Sequence, residues 1–184
     1  MPKLRREDAL LVVIDVQEKL MPVIHEAAEV ERNIDRLARG THILGVPALL
    51  TEQYVKGLGH TTSVVRKAFE QTHGYDPIEK SCFSAFGCDS FRAKLKAIGR
   101  RQILVAGIEA HVCVYQTVLD LLGDRYEVTL ISDGISSRSL ANKNVALNRM
   151  QQEGAKLSST EMALFELTAL SGTDEFRAIS KLVK

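Results

Sequence analysis

The fold of this chain can be approached from the stretch Ile103-Leu104-Val105-Ala106-Gly107-Ile108-Glu109-Ala110-His111-Val112-Cys113. The residues before Gly107 are apolar at consecutive positions, which is typical of a strand covered on both faces. The apolar residues after Cys113 recur at helical spacing, at Val114, Val118, Leu121 and Leu122. A cysteine at such a strand-to-helix turn lies near unpaired N–H groups and the positive end of the helix dipole, which favour a nucleophilic thiolate at neutral pH. The alternative is a packing role, because free cysteine is among the most buried residue types.

The bulk properties of the chain fit one domain over residues 1–184 in a reducing compartment. The 184 residues are 45% hydrophobic, enough for a full core. A net charge of +1 gives no reason to expect a nucleic-acid or membrane partner. The N-terminus makes a poor signal peptide, and no apolar run is long enough to span a bilayer. Three cysteines without a C-x-x-C pair favour free thiols, so we expect a cytoplasmic protein.

Strand-like and helix-like segments alternate along the whole chain. The predicted strands are 10–14, 46–51, 78–83, 103–106, 128–132 and 155–157. The predicted helices are one that closes near Gly40, then 62–70, 89–98, 112–122, 139–152, one from the capping box Ser158/Glu161 through Leu170, and 173–182. This alternation predicts an α/β fold, with helices on both faces of a parallel sheet. Ligands of such sheets bind at the carboxyl ends of the strands, so the polar residues there are the candidates for function.

Two charged residues stand at such strand ends. Asp15 directly follows the apolar run 10–14, where a carboxylate suits a general base, although an N-cap or turn residue fits the position equally well. Lys80 belongs to the third predicted strand, where an ammonium would stabilise an ionised acid and thiol; the alternative is a solvated surface lysine. If the strand order is 3-2-1-4, the first and third strands lie about 10 Å apart, and a lysine side chain covers much of that gap.

These residues, in their local sequences, resemble the isochorismatase-like cysteine hydrolase superfamily. The motifs are Asp15 in Val13-Ile14-Asp15-Val16-Gln17, Lys80 in Glu79-Lys80-Ser81, and Cys113 in Gly107-Ile108-Glu109-Ala110-His111-Val112-Cys113-Val114. The resemblance covers nearly the whole chain. It implies a three-layer α/β/α, Rossmann-like fold with a six-stranded parallel sheet, for which we expect the order 3-2-1-4-5-6. It also implies an Asp15-Lys80-Cys113 triad, a cis peptide at Ile108–Glu109, and an oxyanion hole formed by the N–H groups of Glu109 and Cys113.

Departures from other branches of the superfamily narrow the expected chemistry. Isochorismatases proper have glycine where this chain has Cys113, which argues for attack by sulfur. Nicotinamidases carry an Asp-x-His metal motif, which the corresponding stretch 51–60 lacks, so we expect no metal and no cofactor. The stretches Thr51-Glu52-Gln53-Tyr54, Gly57-Leu58-Gly59-His60-Thr61 and Ser136-Ser137-Arg138-Ser139 look most like the isochorismatase-domain-containing hydrolases, which have no settled substrate.

Proximity in sequence supplies candidates for the pocket wall. They are Gln17, Tyr54, Phe83, His111 and Tyr115, each equally compatible with the core. An anion site after the fifth strand, at Ser137 and Arg138, is the weaker alternative to helix capping and solvation there. Members of this superfamily commonly form homo-oligomers, so we expect at least a dimer.

The hypothesis from sequence is a hydrolase that cleaves a small carbonyl substrate, an amide C–N bond in the first instance, through a thioester on Cys113. Asp15 would act as the acid and base, and Lys80 would balance the charge. The first rival is a catalytically quiet scaffold or binding protein that acts through oligomerisation. The second is a flavodoxin-like phosphoacceptor domain, which usually has an acidic cluster beside its aspartate; Gln17 and Glu18 supply that cluster poorly.

Overall fold

A six-stranded parallel sheet forms the centre of the protein, whose computed structural model describes residues 3–184. The strands are β1 (Ala9–Ile14), β2 (Ala48–Gln53), β3 (Ile78–Lys80), β4 (Gln102–Gly107), β5 (Glu127–Ile135) and β6 (Lys156–Ser158). Their order is β3-β2-β1-β4-β5-β6, and every neighbouring pair is parallel. The predicted fold class and strand order are therefore confirmed. The strand order reverses between β1 and β4, so the ligand crevice belongs at their carboxyl ends.

Helices cover both faces of the sheet. They are α1 (Ala27–Ile43), α2 (Val55–Leu58), α3 (Ser63–Gln71), α4 (Asp89–Ile98), α5 (Tyr115–Gly123), α6 (Leu140–Gln152), α7 (Thr160–Thr168) and α8 (Asp174–Val183). Leu11 and Val13 of β1 belong to the core that includes α1, α3, α7 and α8. Leu10, Val12 and Ile14 belong to the core that includes α4, α5 and α6. Both faces of β1 are thus buried, which is why its sequence is apolar at every position.

Several element boundaries differ from those predicted. The edge strand β3 ends at Lys80 rather than at Phe83, and β5 continues to Ile135. Gly40 does not end α1, which continues to Ile43; a Cβ at Gly40 would lie 2.5 Å from a methyl group of Leu164 on α7. That glycine is therefore explained by the close packing of two helices rather than by a helix end.

The cap of α7 also differs from the predicted capping box. Ser158 is the last residue of β6 and pairs with β5, so its backbone is part of the sheet. The N-cap is Ser159, whose hydroxyl oxygen accepts a hydrogen bond from the N–H of Met162 at 3.3 Å. The helix then ends at Thr168 rather than at Leu170.

Within residues 3–184, no helix combines the length and the apolar character needed to traverse a lipid bilayer.

Candidate active site

Asp15 is a buried carboxylate at the carboxyl end of β1. It has no exposed surface, and its backbone is left-handed with a φ of 52°. The hydroxyl of Thr51 on β2 donates to Oδ1 at 2.7 Å, and the N–H of Asp15 donates to the carbonyl of Thr51 at 3.2 Å. The position of the Asp15 carboxylate is therefore fixed by the end of β1 and by two hydrogen bonds with Thr51 on β2. Neither the N-cap nor a solvated turn describes it.

Lys80 reaches Asp15 across β2. Its Nζ lies 2.6 Å from Oδ2 of Asp15, and neither side chain is exposed. The ammonium also donates to Oε1 of Gln53 at 2.7 Å and to the carbonyls of Phe83 and Cys82 at 3.0 and 3.2 Å. Four acceptors around three N–H groups leave no need for water. The alternative of a solvated surface lysine is excluded by this geometry.

Two polar side chains of β2 that sequence reasoning missed complete this cluster. Thr51 and Gln53 are two residues apart, so they lie on the same face of the strand as Leu49, which belongs to the core that contains Cys113. Thr51 is fully buried and Gln53 is 8% exposed. The available signal was the end of β2, where three consecutive polar residues follow the apolar run of a central strand.

Cys113 is buried beside the Asp15–Lys80 pair, in a π-helical turn over Ala110–Val114 that precedes α5. Burial in the first place, and the charge of Asp15 in the second, raise the pKa of its thiol to about 12, whereas the charge of Lys80 opposes the rise. The thiol is therefore protonated at neutral pH. The thiolate expected from a position at a helix N-terminus is not what the structure gives, because the turn is buried and an anion lies next to the sulfur.

The turn between β4 and Cys113 has an unusual backbone. The Ile108–Glu109 peptide is cis, and Gly107 has a φ of 120°. A Cβ at Gly107 would lie 2.1 Å from the carbonyl oxygen of Ile14, so only glycine fits between β1 and β4 at this point. Among residues 3–184, no group accepts a hydrogen bond from the N–H of Glu109. A free donor thus lies in the same turn as the thiol.

The segment after β5 braces this turn. The N–H of Ala110 donates to the carbonyl of Ser136 at 2.8 Å, and Nδ1 of His111 lies 3.0 Å from the hydroxyl of Ser137. The guanidinium of Arg138 donates through Nε to the carboxylate of Glu109 at 3.0 Å. The charge of Arg138 is therefore paired with Glu109 of the same protein. The segment 136–138 thus stabilises the turn that carries Cys113.

The candidate wall residues occupy different environments. Gln17 is fully buried, and both polar groups of its side-chain amide already have backbone partners, at Gln53 and Gly59. Tyr54 is 61% and Phe83 is 54% exposed, and Tyr54 lines an open cavity of about 400 Å³ at the end of β3. His111 is half-buried against Ser137, as described above.

Tyr115 begins α5 and is half-buried, with the guanidinium of Arg149 5.1 Å from its ring centroid. The other two cysteines, Cys82 and Cys88, are half-buried free thiols, and Cys88 packs against the core that contains Cys113. A hydrogen bond with Ser90 lowers the pKa of Cys88. The described residues hold no group of three or more His, Cys, Asp or Glu side chains arranged to bind a metal ion.

Comparison of the sequence with known proteins identifies one family. Residues 9–162 match the family model described as isochorismatase domain. The chain is 36% identical over 177 residues to the secreted isochorismatase effector Isc1 of Phytophthora sojae (strain P6497), covering 96% of this chain and 84% of that protein. It is 36% identical over 182 residues to isochorismatase domain-containing protein 2 of Danio rerio, covering 98% of this chain and 89% of that protein.

A solved structure gives the same result in three dimensions. The MAR1 ribonuclease of Caenorhabditis elegans superposes with a TM-score of 0.91 at 33% sequence identity, covering 99% of this chain and 92% of that one. The family match and the relatives each cover most of the chain. This protein therefore belongs to the isochorismatase family and has the isochorismatase-like hydrolase fold.

Proposed function

We propose that this protein is a cysteine hydrolase that cleaves an amide C–N bond of a small carbonyl substrate through a thioester on Cys113. The observation that supports the proposal is the convergence of Asp15, Lys80 and Cys113 in one buried cluster at the carboxyl ends of their strands. A nucleophile beside a base that a third group orients is the arrangement that covalent catalysis requires. In this proposal the three residues form a catalytic triad.

Acylation begins with a protonated thiol, so it needs a base in contact with the sulfur. Asp15 takes the proton as the sulfur attacks the carbonyl carbon and a C–S bond forms. The carbonyl electron pair moves to oxygen, and the N–H groups of Glu109 and Cys113 stabilise that oxyanion. Asp15 then gives the proton to the leaving nitrogen as the C–N bond breaks, which leaves a thioester and a free amine.

Deacylation repeats the same steps with water in place of the thiol. Asp15 takes a proton from water, the hydroxide oxygen attacks the thioester carbon, and the C–S bond breaks. The sulfur recovers the proton, and the carboxylic acid leaves. Lys80 remains protonated throughout and offsets the negative charge that passes between the carboxylate and the sulfur.

The name of the Caenorhabditis elegans relative raises a second candidate, the hydrolysis of RNA. Cleavage of a phosphodiester by the 2′-hydroxyl needs a base and an acid but no sulfur nucleophile, so Asp15 would be required and Cys113 would not. The two candidates therefore differ at one residue. We favour the amide because the buried thiol has no role in RNA cleavage.

The test is a panel of small amides assayed for amine release, alongside a fluorescent RNA, with the wild-type protein, Cys113→Ala and the matched control Cys88→Ala. The proposal requires turnover of at least one amide that Cys113→Ala abolishes and Cys88→Ala retains, together with a mass increase at Cys113 when a slow ester of the same acyl group is used. RNA cleavage that survives Cys113→Ala would instead support the second candidate. Binding of an amide without any acyl adduct would support a catalytically quiet protein.

The remaining proposals concern the context of the enzyme. Residues 1–184 form one domain, its substrate is a small molecule, and it works in the cytoplasm, where its three free thiols stay reduced. It assembles into homo-oligomers, which would cover exposed apolar residues such as Leu140 and Val145 on α6. Light scattering of the purified protein tests the homo-oligomer, and fractionation of the source cells tests the cytoplasmic location.

A further inference from the structure

We infer that Gln53 is a positioning residue whose side-chain amide holds the Lys80 ammonium where it faces both Asp15 and Cys113. The inference rests on the proposed function, because it concerns the cation of that site. It starts from the contact between Oε1 of Gln53 and Nζ of Lys80, which at 2.7 Å is nearly as short as the ion pair with Asp15.

The orientation of the Gln53 amide is fixed by its second contact. Nε2 donates to the carbonyl of Ser81 at 2.8 Å. A carbonyl accepts only from a donor, so the nitrogen must face Ser81 and the oxygen must face Lys80. An amide that was turned around would place its N–H₂ against an ammonium, which has no acceptor. Gln53 therefore presents one defined acceptor to Lys80.

Gln17 in turn fixes the backbone of Gln53. Its Oε1 accepts from the N–H of Gln53 at 2.7 Å, and its Nε2 donates to the carbonyl of Gln53 at 2.9 Å. The same Nε2 donates to the carbonyl of Gly59 at 2.6 Å. The buried side chain of Gln17 thus bonds to both backbone polar groups of Gln53, at the end of β2. These bonds explain why a polar side chain is buried at position 17.

The charge of the groups around Lys80 explains why the acceptor is an amide. Asp15 is the one anion among the four acceptors of the ammonium, and the other three are neutral. A neutral acceptor orients the ammonium without competing with Asp15 for its charge. A carboxylate at the same position would place a second anion against the ammonium, and less of its positive charge would then act on Asp15 and the thiol.

The experiment measures the reaction of Cys113 with iodoacetamide in the intact protein between pH 7 and 10. Trypsin releases Cys113 in peptide 102–125, apart from the other two thiols in every variant, so its alkylation rate is followed by mass spectrometry. The variants are Gln53→Leu, Lys80→Met and the matched control Gln102→Leu. Gln102 is also buried and bonds to Arg5 and Lys3, at the opposite end of the sheet.

Loss of the positioning amide is expected to lower the alkylation rate of Cys113 about tenfold at every pH, the lower end of what a hydrogen bond to a charged group contributes. Lys80→Met is expected to lower the rate further, and Gln102→Leu to leave it within about twofold. The sign separates the two roles: a merely structural glutamine would loosen the site on removal and raise the rate. If Gln53→Leu does not fold, the near-isosteric Gln53→Met replaces it.

An unchanged or higher rate in the Gln53 variant, together with a lower rate in Lys80→Met, would overturn the inference and leave the proposed function intact. An unchanged rate in Lys80→Met would mean that the ammonium does not act on the sulfur. In that case both the role inferred for Gln53 and the proposed function would be wrong. The assay needs no substrate, so neither result depends on finding one.

Discussion

Replacing Lys80 with methionine would remove the counter-charge of a carboxylate that has no contact with solvent. Both side chains of the pair are fully buried, and the atoms are 2.6 Å apart. After the substitution, the side-chain donors that remain to Asp15 are the Thr51 hydroxyl and the Cys113 thiol, and neither carries a charge. Leaving a buried charge uncompensated costs about 3–5 kcal/mol of folding free energy. For a chain of this size that loss lowers the midpoint of thermal unfolding by roughly 6–20 °C.

The measurement is urea unfolding at pH 7 of the wild type, Lys80→Met, Asp15→Asn and the double variant. Asparagine is chosen because it tolerates the left-handed backbone at this position. The double variant contains no isolated charge, so its loss of stability should be smaller than the sum of the two single losses by about 0.5–3 kcal/mol, the range of coupling between contacting residues. The control is Lys94→Met, which breaks an exposed pair with Asp76 and should cost no more than about 1 kcal/mol.

The reasoning would be refuted by Lys80→Met having the same stability as Lys94→Met. It would equally be refuted by losses in the two single variants that simply add in the double variant, since additive losses mean that the two buried groups do not interact.

Three further outcomes follow from the structure. Because the pKa of Cys113 is about 12, its alkylation rate should rise about tenfold per pH unit from pH 7 to 10 without a plateau. The rate at Cys88, whose pKa is lowered, should reach its plateau at a lower pH. A plateau in the Cys113 rate below pH 9 would contradict this expectation. Gly107→Ala should destabilise the protein by about 2–6 kcal/mol in urea, from backbone strain and a clash with the adjacent strand, whereas Gly123→Ala, with open space around it, should not. The pKa of Tyr75 is raised to about 12, first by burial and then by its hydrogen bond to the carboxylate of Glu52. The contribution of this hydroxyl to stability is therefore present below pH 10 and lost between pH 10 and 12. Urea unfolding should show that Tyr75→Phe loses less stability over that interval than the wild type, and equal losses would contradict the raised pKa.

The parallel α/β fold could be predicted from the pattern of this chain, whereas the strand order was expected only together with the resemblance to the isochorismatase-like superfamily. Continuous apolar runs in β1 and β4 indicate central strands, and the short β3 is recognisable only as part of the alternation. Boundaries were less accurate where two neighbours fit the same role. Ser158 and Ser159 are both good caps, and only the pairing of Ser158 with β5 decides between them.

The residues that position the cluster were harder to find than those with obvious chemistry. Asp15 and Lys80 stand out as charged groups at strand ends, and Cys113 stands out as a thiol in the turn between a strand and a helix. Gln53 acts through an amide oxygen whose direction depends on a contact with Ser81, and no sequence pattern reports that contact. The protonated state of Cys113 was missed for a related reason, since burial and the sign of the nearest charge are properties of the assembled fold.

Two of the contacts that hold Lys80 come from main-chain carbonyls, at residues 82 and 83. Carbonyls are the same in every amino acid, so the segment can vary its side chains freely while the ammonium keeps its place. Phe83, already more than half exposed, is therefore a position where mutagenesis libraries can be introduced with little risk to the machinery beneath it.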